Sequence, residues 1–112
     1  MPPTVTDEQI QHLASTAKPY SLMQLSWAAD RHQEDAEAIE LEHQRRMVLL
    51  RVEGVIAVLC PVVSDIVAGV AIMTQTPEQA AKTMADDPCV LAGMMTYDVF
   101  ACFGFPGDTV PG

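Results

Sequence analysis

The sequence predicts an α+β domain of element order βαββαβ, and three observations carry that reading. A run of good helix formers over residues 35–53 stops at Gly54. Two β-branched apolar runs follow, at 55–60 and 66–74, and the connection between them, which begins at Pro61, suits a hairpin. Thr76-Pro77-Glu78-Gln79 then opens a second helix, with Thr76 as cap, Pro77 at the first helical position and Gln79 at the third.

Residues 1–17 read as an added segment ahead of this core. Thr6-Asp7-Glu8-Gln9 has the capping-box pattern, and Ile10, Leu13 and Ala14 recur at helical spacing. So short a helix is marginal alone and is expected to dock on another surface. Residues 20–27 read as the first strand and 28–34 as a polar connection. In the long helix Ile39, Met47 and Leu50 share one face with His43 between them, which puts the imidazole on the core side. The second helix ends near residue 85, and Asp87-Pro88 restarts a short turn. Residues 96–105 form the last strand, with Tyr97, Val99 and Phe103 on one face.

This order is the split-βαβ or ferredoxin-like arrangement, a four-stranded antiparallel sheet with two helices on one face. It assigns residues 18–106 to the domain and 107–112 to a loose tail. The run at 66–73 carries no polar side chain, so both faces of that strand are expected to be buried. Two helices cover one side of the sheet. A second copy packed sheet to sheet is the simplest cover for the other, so a homodimer is expected.

Composition narrows the partners. At 49% hydrophobic and 19% charged residues, the chain has the make-up of a folded domain rather than a disordered one. A net charge of -9 argues against nucleic acid, because phosphate binding needs clustered Lys and Arg. Among the basic residues only Arg45, Arg46 and Arg51 lie close together, and Arg46, one turn from His43, could attract an anionic substrate. Cys60, Cys89 and Cys102 lack metal-ligand spacing and are expected to be reduced, as in the cytoplasm. No apolar run reaches the roughly 18 residues that span a bilayer, and no apolar leader opens the chain. No membrane partner is therefore expected.

The residues that could carry chemistry form an ordered set. His43 is followed eleven residues on by Gly54, seven further by Pro61, and then by Asp87-Pro88-Cys89-Val90-Leu91-Ala92-Gly93. An imidazole and a carboxylate are the usual parts of a general acid/base pair, and here they sit on two different predicted elements. Asp87 before Pro88 also has the form of a helix N-cap, and a lone His on an apolar helix face is often a satisfied core residue. Glu40-Leu41-Glu42-His43 contains one Glu-x-x-His, but metal sites of that kind use two copies on four helices. No phosphate loop or serine elbow is present, so no cofactor or metal is expected. The methionines read as core fillers.

The set resembles the YCII-related family of the dimeric α/β-barrel superfamily, which also holds muconolactone-isomerase-like and ethyl-tert-butyl-ether-degradation-like proteins. The resemblance covers roughly residues 36–105. Cys60 departs from it where a Gly usually precedes the Pro, and Cys89 where an aromatic often follows Asp-Pro. It implies a dimeric barrel in which His43 is the general base or acid and Asp87 holds its tautomer, beside a pocket between helices and sheet. Arg46, Cys60, Pro61 and Cys89 would then border a small-molecule substrate. The implied chemistry is lyase- or isomerase-like and cofactor-independent, such as halide elimination from a chlorinated hydroquinone or a proton shift on a small, mostly apolar ring. Two readings stand against it: a non-catalytic dimeric ligand-binding or accessory protein of the same fold, and a partner-docking role for residues 1–17.

Overall fold

The computed structural model describes residues 3–112, so the first two positions of the 1–17 segment lie outside the described residues. The elements run α1 (Asp7–Ser15), β1 (Lys18–Trp27), α2 (Ala36–Val52), β2 (Ile56–Pro61), β3 (Val67–Met73), α3 (Pro77–Ala85), α4 (Pro88–Leu91) and β4 (Met95–Gly104). The four strands form one antiparallel sheet of order β2-β3-β1-β4, compatible with a ferredoxin-like fold. No helix among the described residues is long and apolar enough to cross a membrane.

Alternation along the strands sets the layers. Ser21, Met23 and Leu25 of β1 and Gly69, Ala71 and Met73 of β3 are buried, and the residues between them only partly so. Onto that face pack Met47 of α2 and Ala80 and Met84 of α3, with Cys89, Met94 and Met95 closing the core. Six methionines are buried here, their unbranched side chains filling irregular gaps between helix and sheet.

The helix boundaries have local causes. Gly54, at φ 78, ends α2, and a side chain in that left-handed backbone would be strained. At the start of α3 the Thr76 hydroxyl accepts from the Gln79 N–H while Gln79 Oε1 accepts from the Thr76 N–H. Asp87 caps α4, its carboxylate accepting from the N–H groups of Cys89 and Val90.

α1 forms as predicted, and none of its residues is buried against the rest of the described residues, with Ile10 and Leu13 57% and 48% exposed. It is held by local bonds instead, a Thr6–Gln9 capping box at one end and Thr16 on the Leu13 carbonyl at the other. Tyr97, Val99 and Phe103 share one face of β4 as expected, and Phe103 is 75% exposed because it pairs with Pro19 at the exposed end of β1.

Candidate active site

The site begins with the phase of α2. His43 and Met47, one turn apart, are its two buried residues, and Ile39 and Leu50 pack beside them against the core. That fixes the imidazole between α2 and α4. There His43 Nδ1 lies 2.8 Å from Oδ1 and 2.8 Å from Oδ2 of Asp87. Asp87 is wholly buried, although it stands at the start of a helix of only four residues.

Every polar contact made by this carboxylate is with a donor. Oδ2 accepts from the Cys89 N–H at 3.0 Å and from the Val90 N–H at 3.4 Å. The Arg46 guanidinium lies 3.6 Å from Oδ1 and balances the buried charge. Facing this carboxylate, Nδ1 of His43 is the protonated ring nitrogen, and in the neutral imidazole Nε2 carries the free lone pair. A carboxylate that orients an imidazole in this way is the second member of many acid/base pairs.

Beside the imidazole opens a cavity of about 320 Å³. Leu25, Met47, Leu59 and Met95 supply its apolar walls and Trp27 an aromatic one. Glu40 and Gln44 stand on the α2 side with His43, and Cys60, Pro61 and Gly69 form the strand side. The β1–β3 ladder shifts register between Leu25 and Ser26, beside this wall. Trp27 is pinned in place, its indole N–H donating to the Ser64 carbonyl at 3.1 Å and its ring covered by the Arg31 guanidinium at 3.9 Å.

The structure thus brings together His43, Asp87 and the Cys60–Pro61 strand end. It separates the other two residues expected beside a ligand. Arg46 does not line the cavity, because its Nη2 donates to the Thr83 carbonyl at 2.6 Å and its Nη1 lies 3.6 Å from Asp87. Arg46 Nη1 is the one buried side-chain nitrogen or oxygen among the described residues without a hydrogen-bond partner. Cys89 is wholly buried behind Asp87. Burial, with the charges of Asp87 and Glu40, pushes its thiol from 9.0 up to about 12, which makes it a packing residue rather than a nucleophile.

Trp27, Glu40 and Gln44 were not legible as site residues. Glu40 and Gln44 flank His43 at helical spacings that put all three on one side of α2, and that phase is the signal that could have found them. His12 and His32 are exposed, away from the site.

One donor set could be read as a metal centre. Ligand atoms of His43, Asp87 and Cys89 all lie within 4.8 Å of one another. Their bonds oppose that use: Asp87 holds His43 and two backbone N–H groups, and the thiol is far from its ionised form. A metal there would have to break the pair that orients the imidazole.

No family model matches the chain, and no curated protein matches it either. The fold and the site define a small α+β protein with a carboxylate-oriented histidine facing an apolar cavity.

Proposed function

We propose that this protein is a small acid/base enzyme of the lyase or isomerase type, working without a cofactor on a compact, mostly apolar substrate. The observation that carries the reading is the imidazole of His43, held at Nδ1 by buried Asp87 and lining the cavity. Nε2 takes a proton from a carbon or hydroxyl of the bound molecule and returns it at another position, or to a departing group. Asp87 keeps the ring in the tautomer that allows this and stabilises the imidazolium formed. The cavity volume lies at the lower end of the range for small-molecule sites, which suits a single ring or a short branched chain.

The wider proposal is membership of a YCII-like family and assembly as a dimeric α/β barrel. It is supported by the ordered His43, Gly54, Pro61 and Asp87–Gly93 set and by the apolar residues Leu22, Val70, Ile72 and Phe100 on the sheet face away from the helices.

The test is proton exchange. Small phenols, hydroquinones and ketones are incubated with the protein in D2O and followed by proton NMR. At least one is expected to exchange a carbon-bound hydrogen faster than solvent alone allows, with the rate falling by about 10²-fold or more in His43→Gln. Exchange that is equal in the variant, or none across the panel, rejects the enzyme reading in favour of a ligand-binding protein.

A further inference from the structure

Besides the imidazole, the cavity is lined by one ionisable carboxylate. Glu40 lies on its wall, half-buried, one helical turn before His43 on α2. Among the described residues it has no ion-pair partner, so no cation of the chain neutralises it at the cavity wall. Its carboxylate acts on the interior as well, since it helps to push up the thiol of Cys89, which lies behind Asp87. The cation that could have countered it within the cavity is Arg46, and that guanidinium is turned away onto Thr83 and Asp87.

With the imidazole neutral, the charge facing a ligand is therefore negative. Around it stand apolar walls and the indole of Trp27, with the Gln44 amide as the neutral polar group on α2. A carboxylate flanked by apolar surface binds a cationic head group through charge-assisted hydrogen bonds, and it repels an anion more strongly than it would in open water. The overall charge of -9 acts in the same direction at long range.

We infer that Glu40 makes this cavity selective for a small, mostly apolar ligand with a cationic or neutral head group, binding a protonated amine best and refusing a carboxylate. The inference rests on the reading that the cavity beside His43 is the ligand site. It reverses the expectation that Arg46 draws in an anion.

The test uses three probes of similar shape, benzylamine, phenol and benzoate. Their binding is read from the fluorescence of Trp27, the single tryptophan in the chain and a wall of the cavity. Wild type is expected to bind benzylamine most tightly, then phenol, and to bind benzoate at least about tenfold more weakly than benzylamine. Glu40→Gln is expected to lower the benzylamine-to-benzoate ratio by about tenfold or more. Glu53→Gln removes the same unit of charge from an exposed position and is expected to leave the ratio unchanged.

Benzoate binding as tightly as benzylamine overturns the inference. So does an equal change in the Glu53 and Glu40 variants, or no response from any probe at millimolar concentration. This outcome is independent of turnover: charge selection without proton exchange removes the enzyme reading and leaves the inference standing, and exchange without charge selection does the reverse.

Discussion

His43 Nδ1 sits 2.8 Å from each carboxylate oxygen of Asp87, and Oδ2 of the same carboxylate caps α4 through the Cys89 and Val90 N–H groups. One buried side chain thus starts a helix and orients an imidazole. The two roles are compatible because backbone donors and the imidazole approach the carboxylate from different elements, α4 and α2. The same carboxylate thus both caps α4 and pairs with His43.

The two roles separate by substitution. Asp87→Asn keeps an oxygen acceptor for the cap and is expected to cost about 1–3 kcal/mol, the range for a weakened buried hydrogen bond. Asp87→Ala removes the cap and leaves the His43 and Arg46 donors facing an empty site, for an expected loss of about 3–5 kcal/mol. Urea denaturation at neutral pH measures both. Equal losses would mean that capping and pairing are not both in force.

Cys89 gives the folded state a pH dependence on the alkaline side. Its thiol is raised from 9.0 to about 12, so between those values the unfolded chain releases this proton while the folded chain keeps it. The contribution is complete below about pH 9 and is lost as pH rises toward 12, with a slope of at most about 1.4 kcal/mol per pH unit. Cys89→Ala is expected to flatten this part of the stability profile. At pH 8 a thiol reagent is expected to modify the half-buried Cys60 and Cys102 well before Cys89.

The proposed sheet-to-sheet dimer predicts a result for the outer face of the sheet. Leu22 pairs with Ile72 on one side and with Phe100 on the other, and Phe100 is 53% exposed in the single chain. A charge placed there would be buried by a second copy but solvated in a monomer. Phe100→Glu is expected to convert a dimer into a folded monomer by light scattering. A wild-type monomer at micromolar concentration would count against the assembly, and a variant that stays dimeric would move the interface elsewhere.

The legible part of the fold was the part governed by local rules. Thr76-Pro77-Glu78-Gln79 states its own helix start, Gly54 its stop, and the Ile39–Met47–Leu50 stripe places His43 on the inner side of α2 without any further information. The site was only partly legible because side-chain direction depends on distant neighbours. Arg46 reads like an anion-binding arginine until the Thr83 carbonyl and Asp87 are seen to hold it. Glu40 reads like an ordinary solvated helix residue, and Trp27 like the end of a strand, until the sheet and α2 enclose a cavity between them. α1 has the pattern of a helix that docks, yet nothing in nine residues specifies a surface.

The proposed chemistry of the cavity turns on where the imidazole proton sits. Long-range proton–nitrogen correlation NMR on ¹⁵N-labelled protein, with the ring neutral and His43 assigned by His43→Gln, reads both ring nitrogens directly. The geometry predicts a proton on Nδ1 toward Asp87 and a bare Nε2 whose signal moves when phenol is added. A proton on Nε2 with Nδ1 bare, or an Nε2 signal that phenol leaves unchanged, would contradict His43 as the proton-transferring group of this cavity.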